Sequence, residues 1–271
     1  MKKIVLAIIL LCALPKTFGQ ETKPFVLGNI VEIQSKELSE KRILNIYLPD
    51  GYNQNDTIKY PVIYLLDGSA DEDFIHVTGL VQFLSYSWIN IVPKSIVVGI
   101  ANVDRKRDFT YPTTVEKDKK DFPTTGSSAK FISFLENELQ PFIEKKYNTS
   151  SSKTIIGQSL GGLLATEILF KKPELFSKYI IVSPSLWWDN ESLLNNPELA
   201  FKQKSGSKKM VYVGVGNEHK VMIKDAKRLA KFLKNYKKDI DVVYDFFDKE
   251  DHGTILHQAV YNAFREFNKL K

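Results

Sequence analysis

Thr154-Ile155-Ile156-Gly157-Gln158-Ser159-Leu160-Gly161-Gly162 is the stretch whose reading decides the fold. An apolar run passes directly into Gly-x-Ser-x-Gly, and a helical pattern over residues 160–170 begins at once behind it. A serine on so sharp a strand-to-helix turn is held in a strained conformation that exposes its hydroxyl, while the flanking glycines let strand and helix pass close together. The start of the helix also offers the Leu160 N–H to a developing oxyanion. The five-residue pattern alone arises by chance in Gly/Ser-rich loops. Its place between a buried strand and an amphipathic helix is what makes Ser159 a candidate nucleophile.

Outward from this turn, short apolar runs recur with helical patterns between them. Residues 28–33 and 42–48 predict two antiparallel strands that end at the turn Pro49-Asp50-Gly51-Tyr52. The continuous apolar runs at 61–66 (PVIYLL) and 95–100 (SIVVGI) suit strands buried on both faces of a parallel sheet. Residues 154–156, 179–182, 210–215 and 242–246 continue the series. Over 129–147, Phe131, Phe134, Leu135, Leu139, Phe142 and Ile143 recur at three- and four-residue spacing, predicting an amphipathic helix that Pro141 must kink or interrupt. Residues 222–233 and 255–267 carry the same period. The alternation predicts an α/β architecture, a mostly parallel central sheet flanked by helices on both faces, and with the serine turn an α/β-hydrolase fold. Residues 101–127, rich in Asp, Arg, Lys, Thr and Pro, read as a long irregular loop. No repeat, low-complexity tract or linker divides residues 20–271, which read as a single domain.

A serine hydroxyl is a poor nucleophile at neutral pH and needs a base, which in this fold follows it in the order serine, acid, histidine. Of the four histidines, His76 precedes the serine, His219 ends a strand, and His257 falls inside the last helical pattern. His252, in Glu250-Asp251-His252-Gly253, lies between the last strand and the last helix and is the candidate base. Glu218, just after the 210–215 strand, is the candidate orienting acid; its rivals are Asp225 in a helical pattern and Asp248 and Asp251 beside the histidine. The second oxyanion donor is expected from the loop after the third strand, Asp67-Gly68-Ser69, where Gly68 permits close backbone approach. The same residues also read as a plain Asp-Gly turn. Arg105 and Arg107 in the long loop suit an anionic or catecholate group, although loop arginines are ordinarily just solvated. Trp187 and Trp188 suit an aromatic wall for an aryl or sugar substrate, or one of them a place in the core. There is no HExxH, no clustered His/Asp set and no Gly-rich phosphate loop, so neither metal nor nucleotide cofactor is implied.

These segments together resemble the esterase family of α/β-hydrolases, which includes ferric-enterobactin and salmochelin esterases, feruloyl and acetylxylan esterases, and mycolyltransferases. PVIYLLDG, VVGIANVDRKRDFTYP, FISFLENELQPFIEKKY, GQSLGG, SPSLWWD, GVGNE and DHG fall in the family's order across nearly all of residues 20–271. The siderophore-esterase branch is the most similar. The resemblance implies that Ser159 and His252 are catalytic and that the backbone near Gly68 and Leu160 binds the oxyanion. It also implies that the acid is the least constant member, since some enzymes of that branch work with a Ser-His pair. The expected activity is hydrolysis of a carboxylic ester on a siderophore, aryl or acylated-sugar substrate. Acyl transfer to a sugar or lipid, and a binding protein that has lost the reaction, are the alternatives.

The first nineteen residues differ from the rest. Lys2 and Lys3 precede an almost unbroken apolar run over 4–14, too short to span a bilayer as a helix, and Pro15-Lys16-Thr17 and Gly19 follow. This predicts a signal peptide with cleavage near Gly19 and an exported protein, periplasmic or secreted. Cys12, the single cysteine, lies inside it, so residues 20–271 would hold no disulfide, thiolate metal site or cysteine nucleophile. Without Lys2, Lys3 and Lys16 the basic residues fall from 38 to 35 against 32 acids, a net charge of +3. That is too small to suggest a nucleic-acid or membrane-surface partner, and it leaves a small-molecule or saccharide ester as the expected one.

Overall fold

The computed structural model describes residues 21–196, 208–236 and 239–270. The expected signal segment and Cys12 lie outside these residues. Eight strands form one sheet: β1 (Asn29–Ser35), β2 (Glu40–Tyr47), β3 (Tyr60–Leu65), β4 (Ile96–Ile100), β5 (Thr149–Gln158), β6 (Lys178–Val182), β7 (Lys209–Gly216) and β8 (Ile240–Phe247), in the spatial order β1-β2-β4-β3-β5-β6-β7-β8. β2 pairs antiparallel with both β1 and β4, and every pairing from β4 to β8 is parallel. The mostly parallel α/β sheet expected from the apolar runs is therefore present.

Alternation along the strands explains why the sheet needs helices on both sides. Val62, Tyr64, Ile155, Tyr179, Ile181, Val211 and Val213 face one apolar core, whereas Ile63, Leu65, Ile156, Ile180, Val182 and Tyr212 face the other. The second core is closed by α1 (Phe74–Leu84) and α9 (Ile255–Lys269). The first is closed by α4 (Ser128–Phe134), α5 (Gln140–Lys146), α6 (Leu160–Lys171) and α8 (Lys220–Tyr236). Every residue from Leu160 to Phe170 is buried, as expected of a helix wedged between sheet and neighbouring helices. At about 2–5 kcal/mol for truncating a buried leucine to alanine, Leu163, Leu164 and Leu169 make this helix a main anchor of the fold.

Pro141 does not break its helix. α4 runs through a π-helical turn (Leu135–Leu139) into α5, and the Gln140 N–H bonds the Leu135 carbonyl five residues back. The wider turn accommodates the missing proline N–H and the crowding of its ring against the carbonyl four residues earlier. Residues 101–127 are also more regular than expected, holding α2 (Arg105–Phe109) and α3 (Glu116–Asp121). α1 and α7 (Trp188–Asn195) were not expected either: the α1 sequence carries Gly79 and several β-branched residues, which weigh against a helix, and α7 has three left-handed residues, Asp189, Asn190 and Glu191, near its start.

The strand order creates the place for a site. From β3 the chain goes to β4 on one side, and from β5 to β6 on the other, so the carboxyl ends of neighbouring β3 and β5 diverge into a crevice. The Gly68 loop leaves one lip, and Ser159 stands on the other.

Candidate active site

Ser159 sits between β5 and α6 with φ 59 and ψ −118, a conformation that is strained for a residue with a side chain. Close crossing of strand and helix imposes it: a Cβ on Gly157 would lie 2.4 Å from the Gly161 carbonyl oxygen. The Ser159 N–H donates to the Val182 carbonyl at 3.0 Å, which ties the turn to β6. As the first residue of α6, Leu160 has a backbone N–H without an intrahelical acceptor, directed to the same space as any anion at a helix start.

Glu218 and His252 come from the ends of β7 and β8. The His252 Nδ1 lies 2.5 Å from Glu218 Oε2, while Glu218 Oε1 accepts from the Ser183 hydroxyl at 2.5 Å and from the Gly216 N–H at 3.2 Å. Only 5% of the Glu218 side chain is exposed. Burial pushes its carboxyl up, but the hydrogen bonds from His252 and Ser183, the electrostatic attraction of the His252 ring and the Gly216 N–H together hold it below the usual glutamate range. It is therefore a carboxylate at neutral pH. Gln158, next to Ser159, holds the histidine loop from the other side, its amide donating to the His252 carbonyl. Two of the three rivals are engaged elsewhere: Asp225 is buried on α8 beside Lys224 and Arg228, and Asp251 accepts from the Gly253 and Thr254 N–H groups.

The loop after β3 is fixed by polar contacts on three sides. Asp67, at φ 54, accepts from Arg105 Nε at 2.6 Å and Nη2 at 2.9 Å and from Asn102 at 2.7 Å. Arg105 also donates to the Gln158 carbonyl at 3.2 Å, so this one side chain joins the β3 loop to the residue before Ser159. Gly68 packs so tightly that a Cβ would fall 2.4 Å from the Gly99 Cα. Its N–H is taken by the Ile100 carbonyl at 3.0 Å. The Ser69 N–H, in contrast, has a longer 3.3 Å contact with the Glu72 carboxylate, which also accepts from Asn102. Of the two N–H groups in this loop, that of Ser69 is bonded to a side chain and that of Gly68 to the backbone of the sheet.

Ser159 and His252 line two adjoining cavities. One, of about 500 Å³, adds Glu218, Trp187, Val221 and Met222 and is mainly apolar. The other, of about 460 Å³, adds Asp67, Glu72, Asp73 and Arg105. Burial and then the Asp67 charge, with a smaller push from Glu72, raise the Asp73 carboxyl to about 6 against the opposing effects of His257 and Arg105.

Two of the sequence-level candidates lie away from this space. Arg107 is bound to Asp108 at 2.8 Å and Glu40 at 2.7 Å beside the buried Arg42, because the long loop is tied to β2 there. Trp188 is fully buried and donates its indole N–H to the Tyr111 carbonyl at 2.9 Å, which leaves Trp187 alone at the cavity wall. Arg105 reaches the site, but its Nε–Nη2 edge is engaged by Asp67. His76 and His257 meet edge to face, with ring centroids 3.7 Å apart. Sequence reading passed over Ser183, Ser185 and Gln158. The first two stand out only as polar residues in an otherwise apolar strand end around Pro184, and both are buried.

A serine at a helix start, an imidazole, a carboxylate behind it and the unpaired Leu160 N–H are parts that acyl transfer through the serine oxygen needs. Comparison with known proteins points the same way. The family described as "Putative esterase" matches residues 35–263. The ferri-bacillibactin esterase BesA of Bacillus subtilis is 28% identical over 92% of this chain and 93% of its own length. Among solved structures, an IroE-like serine hydrolase from Shewanella oneidensis superposes with a TM-score of 0.82 at 30% identity, covering 89% of this chain and 80% of that one. The BES protein from Bacillus cereus does so with a TM-score of 0.80 at 27% identity, covering 92% and 98%.

Proposed function

This chain belongs to the esterase family of α/β-hydrolases, and from that premise we propose that it hydrolyses carboxylic esters through Ser159, His252 and Glu218, with siderophore esters as the favoured substrate class. The observation that carries the reading is the 2.5 Å contact of His252 Nδ1 with a buried carboxylate, beside a serine held on a strained turn at the same cavity. The Ser159 Oγ attacks the ester carbonyl carbon as its proton passes to His252 Nε2, and the carbonyl electron pair moves to an oxyanion held by the Leu160 and Ser69 N–H groups. Glu218 fixes the Nδ1–H tautomer and stabilises the imidazolium. Collapse expels the alcohol, which takes the proton from His252, and water repeats the sequence on the acyl-enzyme.

The siderophore assignment draws on the named activity of the Bacillus subtilis relative and on the apolar wall formed by Trp187, Val221 and Met222, which suits an aryl group. The reading extends to an exported protein, supported by the Lys2-Lys3 start and the apolar run after it; N-terminal sequencing of secreted material should then begin near Gln20.

The test is an ester panel of aryl acetates, feruloyl sugars, acetylated xylan and catecholate trilactones, read against Ser159→Ala. A chromogenic acetate should give a burst of alcohol stoichiometric with enzyme, and the trilactones the highest kcat/KM. Ser159→Ala should lose several orders of magnitude, leaving at most about 10³ over water from the remaining groups. Retention of a tenth of wild-type turnover would place the nucleophile elsewhere, and product appearing on added alcohols in preference to water would make the enzyme an acyltransferase.

A further inference from the structure

We propose that the Ser185 hydroxyl is a further catalytic group, a hydrogen-bond donor held against the nucleophile that stabilises the charge developing on Ser159 Oγ; this rests on the reading of Ser159 as the nucleophile. Ser185 follows Pro184 on the loop leaving β6, and the residue is only 2% exposed. Its hydroxyl lies 3.2 Å from Ser159 Oγ, and among the described residues the nucleophile is its one side-chain partner. A buried hydroxyl is most easily satisfied by a nearby backbone carbonyl. Here its one side-chain contact is with the oxygen that reacts, and once the Ser159 proton passes to His252 the Ser185 hydroxyl is the donor of that pair.

The placement is built into the backbone. The Ser185 N–H donates to the carbonyl of Ser159 itself at 3.0 Å, and the Ser159 N–H donates in turn to the Val182 carbonyl at 3.0 Å, so the two residues are clasped across β5 and β6. The Ser185 carbonyl accepts the Trp188 N–H at 3.2 Å. Before it, Ser183 stands at φ 42 and Pro184 restricts the loop further. Ser183 meanwhile donates to Glu218. A single tripeptide, Ser183-Pro184-Ser185, thus touches both ends of the proposed relay.

The chemistry needs no additional reactant. The Ser159 hydroxyl has one proton and two lone pairs: the proton goes to His252, one lone pair forms the bond to carbonyl carbon, and the other accepts from Ser185. Ser185 neither gains nor loses a proton. A donor fixed beside an oxygen that acquires charge acts more strongly at the transition state than in the resting enzyme. The same bond assists deacylation, when Ser159 Oγ becomes the leaving group.

The experiment uses a p-nitrophenyl alkylphosphonate, whose two-step reaction separates reversible binding (KI) from bond formation (k2), with labelling located by mass spectrometry. Wild type should label at Ser159, and Ser159→Ala should not label; failure here overturns the nucleophile reading itself. Given that label, Ser185→Ala should react at Ser159 with k2 roughly 10- to 100-fold lower and KI within about twofold. Ser185→Cys fills the site with a slightly larger group that is only a weak donor, so it should stay folded, by its thermal midpoint, and match Ser185→Ala in k2. A k2 at or above the wild-type value in either variant overturns the proposal, as does a loss confined to KI.

Discussion

Glu218 divides its two carboxylate oxygens between different neighbours, and the division determines what its replacement should do. Oε2 faces His252 Nδ1 and Oε1 faces Ser183. In Glu218→Gln one oxygen remains to serve Ser183, but the amide NH₂ cannot accept the Nδ1 proton, so the imidazole is pushed to the wrong tautomer. We expect kcat to fall roughly 10²- to 10⁴-fold with KM little changed, measured by steady-state kinetics on a chromogenic ester. Adding Glu218→Gln to His252→Ala should cost nothing further if the two act as one unit. Additive losses would instead favour a Ser-His pair. Ser183→Ala keeps the carboxylate and removes one hydrogen bond to it, so its expected loss in kcat is smaller, about tenfold.

At the scale of elements, the two lips of the crevice rest on different devices. The β5-to-α6 turn depends on Gly157, where any Cβ meets the Gly161 carbonyl oxygen at 2.4 Å. Gly157→Ala should therefore lower the thermal midpoint and abolish turnover together, since strand and helix must separate. The start of α1 carries an electrostatic strain instead. Asp73 precedes the helix without a side-chain cap bond, and its carboxyl is raised to about 6 against an unfolded value of about 3.9. Between these values the folded state binds more protons than the unfolded one, so this group's contribution to stability falls as pH rises from about 4 through 6. Asp73→Asn removes that dependence without removing a cap. The variant should melt higher than wild type above pH 6, with the advantage shrinking toward pH 4; a difference independent of pH would contradict this account.

For the whole molecule, the long 101–127 segment has to be held to the antiparallel end of the sheet, and a buried ion pair does this. Arg42 on β2 and Asp108 on α2, 66 residues apart in sequence, meet at 2.7 Å with both side chains essentially inaccessible. Glu40 and Arg107 extend the network, and Phe131 and Phe134 pack on the Arg42 guanidinium. Asp108→Ala leaves the Arg42 charge buried without its main partner and should cost about 3–5 kcal/mol in denaturant unfolding. Because Arg105 grips Asp67 from the same segment, loss of the anchor should also reduce activity more than the fall in folded fraction explains. Unchanged stability would mean that Glu40 alone neutralises Arg42.

Much of this was legible in the chain itself. Apolar periodicity, turn residues and the order serine, acid, histidine are properties of neighbouring residues, so strands, main helices and the Ser159, Glu218 and His252 candidates could be read without coordinates. The family resemblance agreed with the matching of residues 35–263. Tertiary structure alone decided which way side chains face and what already occupies them. Of two adjacent tryptophans one lines the cavity and one is core, where its indole N–H meets the Tyr111 carbonyl from a distant segment. Arg105 is engaged by Asp67, 38 residues away, and Ser185 meets Ser159 only because β5 and β6 end side by side. Sequence states which donors and acceptors exist; pairing depends on where distant strands end, and that is fixed by packing of the whole sheet.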